Sequence, residues 1–161
     1  ENFRKIVSSL NLLAKDFQIP IIFSTHPRTR KKIKDCQIKF NNQIKLIKPL
    51  GFLDYIKLQI SANCVLSDSG TITEESSILG FRAINLRDNH ERPEGMEEAS
   101  VILSGLNYNR IRQSINFLSI HEKEKKNVIV KDYEIDNVSE KVVKIILSYT
   151  DYINRSVWKK T

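Results

Sequence analysis

Apolar positions along the chain alternate between helical and strand-like spacing, and this alternation predicts the order of its elements. Near the amino end the apolar residues recur at steps of one, three or four, which predicts a helix; they are Phe3, Ile6, Val7, Leu10, Leu13 and Phe17. Pro20 ends this helix, and the β-branched run that follows, IPIIFST, is typical of a buried strand. The first unit is therefore a helix followed by a strand.

The same two patterns continue through the rest of the chain. We predict strands at IKLIKPL, CVLSD, FRAINLR and SVILSG, and helices at FLDYIKLQISA, TITEESSILG, NRIRQSINFLSI and about Val138 to Ile153. In FLDYIKLQISA the helical spacing is that of Leu53, Ile56, Leu58 and Ile60. Strands that alternate with helices in this way predict an α/β fold, a parallel sheet with helices on both faces.

Three polar or terminal segments fall outside this alternation. The segment HPRTRKKIKDC is basic with few apolar residues, and EKEKKNVIVKDYEID is the most polar stretch and favours a loop. Trp158 lies in the aromatic and basic tail NRSVWKK, where we expect it to dock on a neighbour rather than in the centre of this domain.

Charge narrows the class of partner without selecting one. With 161 residues the chain has the size of one domain, and its net charge of +7 suits an anionic partner such as nucleic acid, an acidic membrane or a phosphorylated metabolite. Aromatic residues are sparse among the basic ones from Arg28 to Lys34, and no helix-turn-helix or RNA-binding signature occurs. These features weigh against a nucleic-acid-binding module, which stays open as an alternative.

Cysteine and histidine usage predicts neither a metal site nor a disulfide. Cys36 and Cys64 lack metal-ligand spacing, so we expect buried thiols in a reducing cytoplasm, and His26, His90 and His121 form no zinc signature. The sequence opens on Glu1, and neither a signal peptide nor an apolar stretch of about eighteen residues follows. We expect a cytoplasmic piece of a longer protein, with no membrane partner.

A turn of small residues, SDSG (residues 67–70), separates a predicted strand from a predicted helix and suits an anion. At such a turn the helix offers free N–H groups, Ser69 adds a hydroxyl donor, and Gly70 removes the Cβ obstacle. Thr71 and Thr73 supply further hydroxyls. We interpret the SDSG turn as a phosphate cradle; the alternative is that Asp68 or Ser69 only caps the helix.

Glu74 and Glu75 follow the SDSG turn inside the helix. A carboxylate facing a phosphate would repel it, whereas a carboxylate at this distance can accept hydrogen bonds from two vicinal hydroxyls such as those of a ribose. Ser69 with Glu75 therefore describes a nucleoside diphosphate site. The alternative is that the two glutamates only favour the helix dipole.

Two other strand ends carry candidate chemistry. In RDNHERPEG (residues 87–95) Arg87 and Arg92 can clamp phosphate, while His90 and Glu91 can move protons. The alternative is a solvated loop with internal ion pairs. In STHPRTR (residues 24–30) His26 can point at the same ligand edge, although a lone histidine is more often structural.

The stretch PLGFLDYIKLQISANCVLSDSGTITEESSILGFRAINLRDNHERPEG resembles the non-hydrolysing UDP-N-acetylglucosamine 2-epimerase family. That family carries approximately D-S-G-G-x-Q-E-E, an apolar helix and strand, then R-D-T-T-E-R-P-E. The resemblance implies a Rossmann-like α/β domain, residues 1–161, forming the C-terminal nucleotide-binding half of a GT-B-like two-domain fold. The N-terminal domain, with an upstream histidine and acidic residues that carry much of the proton chemistry, would be absent.

The resemblance also implies roles for individual residues. Ser69 and Gly70 would bind the pyrophosphate, Glu75 the ribose hydroxyls, and Tyr55 would lie beside the uracil. The predicted sugar and phosphate side of the cleft comprises Arg87, His90, Glu91 and Arg92. His26 matches a family histidine in a P-x-H-x-N-P context, although this chain reads S-T-H-P-R-T.

The implied reaction eliminates UDP across C1 and C2 to give a 2-acetamidoglycal, then adds UDP back with the proton returned to the other face of C2. It needs no cofactor. The expected substrate is a UDP-N-acetylhexosamine. The full-length protein is expected to be a homodimer, and the isolated chain is expected to be inactive. The chief alternative is the nucleotide-sugar-binding half of a GT-B glycosyltransferase.

Departures from the common motif suggest a branch of the family. Thr71 replaces the second glycine, Thr73 replaces the glutamine, and Asn89 and His90 replace the two threonines. Together with the carboxyl-terminal tail these resemble the enzymes that make UDP-N-acetyl-L-fucosamine from UDP-2-acetamido-2,6-dideoxy-L-talose. That branch serves capsule polysaccharide, O-antigen and lipopolysaccharide biosynthesis.

Overall fold

A computed structural model describes residues 2–120 and 129–160. The chain divides into two compact units, one ending at Val130 and the other running from Lys131 to Thr161. The helices of the first unit are α1 (Asn2–Phe17), α2 (Pro27–Asp35), α3 (Phe52–Ser61), α4 (Ile72–Leu79), α5 (Pro93–Glu97) and α6 (Tyr108–Ile120). The second unit holds a 3₁₀ helix (Lys131–Tyr133) and α7 (Val138–Ser156).

The strands of the first unit form two parallel sheets. They are β1 (Ile21–Ser24), β2 (Ile44–Ile47), β3 (Val65–Ser67), β4 (Ala83–Asn85) and β5 (Ile102–Leu103). One sheet pairs β1 with β2, and the other has the order β3-β4-β5. The predicted parallel α/β architecture is confirmed, with its ladder divided between two hydrogen-bonded sheets.

Helices cover both faces of the three-stranded sheet. Successive residues of a strand point to opposite faces. Accordingly Ala83 packs with Ile72 of α4, while the next residue, Ile84, packs with Leu13 of α1 and Ile111 of α6. Leu66 of β3 and Ile21 of β1 both pack against the cluster around Ile84 and against a further cluster, so the two sheets contribute to the same core. The further cluster consists of Leu10, Ala14 and Ile44. The prediction of helices on both faces is confirmed.

Helices α2 and α5 have no counterpart in the apolar pattern. Helix α2 buries no residue; it begins at Pro27 behind the N-cap His26, and the buried Thr25 accepts a hydrogen bond from Nε of Arg30 at 2.9 Å. Helix α5 also begins at a proline, Pro93. Proline at the first helical position fixes a helical φ without losing a hydrogen bond, which accounts for both starts.

Helix α3 is buried on an unexpected side. Its one buried residue is Gln59, whereas Leu53 is 79 % exposed and Ile60 is 48 % exposed. The predicted helix is confirmed, but the apolar spacing does not mark its buried face.

Helix α7 extends the predicted helix by one turn and buries none of its residues. Trp158 is 65 % exposed. Of the predicted polar loop, residues 122–128 lie outside the described residues, as does His121, while the 3₁₀ helix falls in the remainder. No described helix is long and apolar enough to cross a membrane.

The two thiols differ from the expectation of burial. Cys36 is exposed at the carboxyl end of α2, so the expectation of a buried thiol is wrong there. Cys64 is partly buried, and burial raises the pKa of its thiol to about 12. Both thiols are free.

Candidate functional site

The SDSG turn lies between the carboxyl end of β3 and the start of α4, where the sequence places it. Its conformation is held by its own hydroxyls: Ser67 Oγ accepts from the Ser69 N–H at 3.1 Å, and Ser69 Oγ accepts from the Thr71 N–H at 3.3 Å. The N–H that Ser69 binds belongs to Thr71, the residue before α4, and no side chain caps the helix, so neither Asp68 nor Ser69 has the capping role of the alternative. Its exposed hydroxyl also lies 2.9 Å from Oγ1 of Thr71.

Glu75 is held at both carboxylate oxygens. Thr71 Oγ1 donates to Oε1 at 2.7 Å, and Gln59 Nε2 donates to Oε2 at 2.6 Å. Burial raises the pKa of Tyr55, and the nearby negative charge of Glu75 raises it further. A continuous polar chain thus runs from Ser69 through Thr71 to Glu75, with Tyr55 beside its carboxylate end.

Arg87 and Glu91 form an ion pair directly over Gly70. Their Nη1 and Oε2 atoms are 2.8 Å apart, and a Cβ added at Gly70 would lie 2.8 Å from that same Oε2. The hydrogen bond from Arg87 lowers the pKa of Glu91, so its carboxyl is ionised at neutral pH. The same bond raises the pKa of Arg87. A side chain at position 70 would therefore shift the Glu91 carboxylate away from its place in the pair.

The backbone of Arg87 is anchored by a buried side chain at the end of β4. Asn85 is 4 % exposed, and its Oδ1 accepts from the Arg87 N–H at 3.0 Å. Next to this anchor a cavity of about 450 Å³ opens, a size suited to a small ligand. It is lined by Asn2, Ile6, Asp68, Leu86, Arg87, Asp88, Asn89, Glu91 and Leu106.

Arg92 binds protein groups on the neighbouring helix and in its own loop. Its Nε donates to Glu74 Oε1 at 2.5 Å, and its Nη1 donates to the carbonyl of Glu91 at 3.1 Å. The Arg87–Glu91 pair is an internal ion pair of the kind foreseen as the alternative for this loop, whereas Arg92 pairs with Glu74 of α4. Glu74 contacts this arginine, whereas Glu75 contacts Thr71. The two adjacent glutamates therefore bind different parts of the chain.

The two candidate histidines occupy different settings. His26 is an exposed N-cap of α2, where its Nδ1 accepts from the Arg28 N–H at 3.3 Å. This contact gives His26 the structural role that the sequence left as an alternative. His90 is exposed in the loop between Asn89 and Glu91, both of which line the cavity.

Sequence reasoning missed Gln59 and Asn85. A glutamine within an apolar helical pattern and an asparagine at the end of a strand give no distinctive signal, because both are also common surface residues. The one available clue for Asn85 is its place at a strand end beside the charged RDNHERPEG segment. Within the described ranges, no three carboxylate, imidazole or thiol groups cluster closely enough to hold a metal ion.

Comparison with known proteins finds a matching family and similar solved structures. The family model for UDP-N-acetylglucosamine 2-epimerase matches residues 1–147. The UDP-N-acetylglucosamine 2-epimerase of Methanocaldococcus jannaschii is 34 % identical over 156 residues, which cover 94 % of this chain and 41 % of that protein. The chain therefore spans about two fifths of the length of such a relative.

Solved structures show the same fold. The structure of UDP-N-acetylglucosamine 2-epimerase from Rickettsia bellii is 44 % identical with a TM-score of 0.81, covering 99 % of this chain and 44 % of that one. The Methanocaldococcus jannaschii enzyme in complex with UDP-GlcNAc and UDP is 33 % identical with a TM-score of 0.73, covering 91 % of this chain and 41 % of that one.

Proposed function

The chain belongs to the UDP-N-acetylglucosamine 2-epimerase family, and from this premise we propose that it is the C-terminal, UDP-binding half of a non-hydrolysing UDP-N-acetylhexosamine 2-epimerase. Membership favours an epimerase over the glycosyltransferase alternative. The observation that carries the proposal is the polar chain from Ser69 through Thr71 to Glu75. It places hydroxyl groups at one end and a carboxylate acceptor at the other, which are the group types that suit a diphosphate joined to a ribose.

Four of the candidate side chains have a part in holding UDP. Ser69 and the open backbone at Gly70 accommodate the diphosphate, and Arg87 supplies positive charge above them. Glu75 accepts from the ribose hydroxyls, and Tyr55 lies beside the uracil. Positive charge and N–H donors fixed around a departing diphosphate stabilise the charge that develops on it, so this half chiefly stabilises the leaving group.

The reaction conserves atoms and protons. Removal of the C2 proton and cleavage of the bond from C1 to the diphosphate oxygen give UDP and a 2-acetamidoglycal. Re-addition of the same oxygen to C1, with a proton delivered to the other face of C2, completes the inversion. Glu91 is ionised beside Arg87 and is thus a proton acceptor, and His90 on the same loop is the candidate donor. We assign the remaining proton chemistry to an N-terminal domain outside this chain, so that the chain alone is inactive.

We further propose the UDP-N-acetyl-L-fucosamine branch, within capsule, O-antigen or lipopolysaccharide biosynthesis, for a cytoplasmic homodimer. Asn89 lines the cavity at the position where the common motif has threonine, and His90 follows it. The test compares UDP-2-acetamido-2,6-dideoxy-L-talose with UDP-N-acetylglucosamine as substrates of the family-length protein. Faster turnover of the second substrate would contradict this branch while leaving the family reaction intact.

Calorimetric titration with UDP tests the nucleotide site. We expect saturable binding that weakens by about tenfold or more in Ser69→Ala and in Glu75→Ala, because each variant removes a hydrogen bond to a charged group. Ser119→Ala is the matched control, since its Oγ donates to the Ile115 carbonyl on the surface of α6. Unaltered UDP affinity in both site variants would overturn the assignment.

A further inference from the structure

Gln59 is the buried residue of α3 that reaches the candidate site. It is 3 % exposed, and its Nε2 donates to Oε2 of Glu75 at 2.6 Å. The orientation of the amide follows from its partner, because an ionised carboxylate only accepts hydrogen bonds. Helix α3 therefore fixes one oxygen of a side chain that belongs to α4.

The other end of the same amide has no partner. Gln59 Oε1 is buried and lacks a hydrogen bond within the described part of the chain. A buried acceptor without a partner costs free energy, so a glutamine is a poor choice for stability alone at this position. The benefit of the residue lies in its one donated bond, which ends on Glu75.

Two donors hold the two oxygens of Glu75 from different elements. Gln59 binds Oε2 from α3, and Thr71 binds Oε1 from the start of α4. A carboxylate fixed at both oxygens has a defined plane, and each oxygen keeps a further lone pair for a ligand. Two vicinal hydroxyls are the ligand groups that match a fixed pair of acceptors.

We propose that Gln59 is a positioning residue that orients the Glu75 carboxylate toward the ribose hydroxyls of the bound nucleotide. This inference rests on the proposed function, since it takes the nucleotide as the ligand. It adds a determinant of specificity: Gln59 sets how strongly the site distinguishes a ribose from a deoxyribose.

The test compares UDP with 2′-deoxy-UDP by calorimetric titration of the full chain and of Gln59→Met, which keeps the length of the side chain. We expect the wild-type chain to bind UDP about tenfold more tightly than the deoxy ligand, the range for one charge-assisted hydrogen bond. In Gln59→Met this preference falls below about threefold, because UDP, which has both hydroxyls, loses more affinity than 2′-deoxy-UDP, which keeps only the 3′-hydroxyl. The unfolding midpoint of the variant is measured beside that of the wild type, because the substitution removes both the bond to Glu75 and the unpartnered Oε1.

Ser76→Ala is the matched control. Ser76 is buried next to Glu75 on α4, and its Oγ donates to the Thr73 carbonyl at 3.2 Å. This variant loses a buried hydrogen bond of the same helix and should keep the full preference for UDP. Thr71→Val is the second variant: it removes the other donor to Glu75 at an exposed position, and we expect it also to reduce the preference.

The outcomes separate the two proposals. A wild-type preference that persists in Gln59→Met, or an equal loss of both ligands in that variant, overturns the positioning role and leaves the UDP site standing. Equal binding of both ligands by the wild-type chain, or no binding of either, overturns the ribose role of Glu75 and the inference with it.

Discussion

Glu91 owes its charge state to one neighbour. Arg87 donates to its carboxylate, and this bond holds the pKa of Glu91 below the ordinary 4.5. Because the folded pKa is the lower one, the pair stabilises the fold above about pH 4.5, and this contribution is lost as pH falls through the lowered pKa. At neutral pH Glu91 is therefore a base or a counter-charge and not an acid.

This dependence is testable by substitution of the arginine. In Arg87→Met we expect the pKa of Glu91 to rise toward its ordinary value, as followed by the carboxyl carbon shift of Glu91 in an NMR pH titration. Arg110→Met is the control, since Arg110 donates to Gln113 on the exposed side of α6. An identical Glu91 titration in wild type and Arg87→Met would show that the ion pair does not form in solution.

Single residues also show how far sequence reasoning reaches. Ser69, Glu75, Arg87 and Glu91 were predicted to serve one site, and the structure places them along two adjoining networks around Gly70. Their spacing after strand ends carried that prediction, because parallel strands bring their carboxyl ends to one edge. The anchors Gln59 and Asn85 were missed since their role depends on tertiary contacts that no local pattern encodes.

At the scale of elements, α4 and α5 approach each other closely at Gly95. A Cβ added at Gly95 would lie 2.0 Å from Cγ2 of Thr73, a buried residue of α4. The pair Glu74–Arg92 joins the same two elements at 2.5 Å. Glycine at position 95 is therefore required by close approach and not by backbone conformation.

Gly95→Ala is expected to destabilise the chain by about 1–3 kcal/mol, the usual cost of overpacking. Chemical denaturation measures the change. The double variant Thr73→Ser with Gly95→Ala removes the clashing Cγ2 and should recover most of the loss, because the next contact is with Ser100 Oγ at 3.1 Å. A double variant no more stable than Gly95→Ala alone would refute this contact as the cause.

An element is predictable from the sequence where its buried apolar residues recur at the spacing of a helix or a strand. Helix α1 has a buried apolar face and was predicted with nearly its full length. Helix α2 buries nothing and depends on a cap, a proline and the bond from Arg30 to Thr25. Such a helix has no hydrophobic periodicity for sequence reasoning to find.

At the scale of the whole molecule, apolar surface is concentrated on α7. No residue of α7 is buried, and Leu147 is 77 % exposed. A shallow groove on it is lined by Ile145, Ile146, Tyr149, Thr150, Ile153 and Asn154. Contiguous exposed apolar surface of this kind favours association.

We expect concentration-dependent self-association of the chain in sedimentation velocity, and a marked decrease in Ile146→Glu. Ser148→Glu adds the same charge on the polar side of α7 and is the matched control. UDP affinity should not change in either variant, because all proposed nucleotide-binding residues belong to the unit that ends at Val130. Self-association that is identical in all three proteins would exclude this face as its origin.

The ion pair above Gly70 has a consequence for turnover. The Glu91 carboxylate neutralises Arg87 next to Gly70, at the place where UDP is proposed to bind. Nucleotide binding would then replace the Glu91 carboxylate beside Arg87 by a phosphate. The binding free energy would be reduced by the free energy needed to separate Arg87 from Glu91. Re-formation of the Arg87–Glu91 pair would favour dissociation of the product. We therefore expect weaker nucleotide binding and faster product release than at a site without this pair.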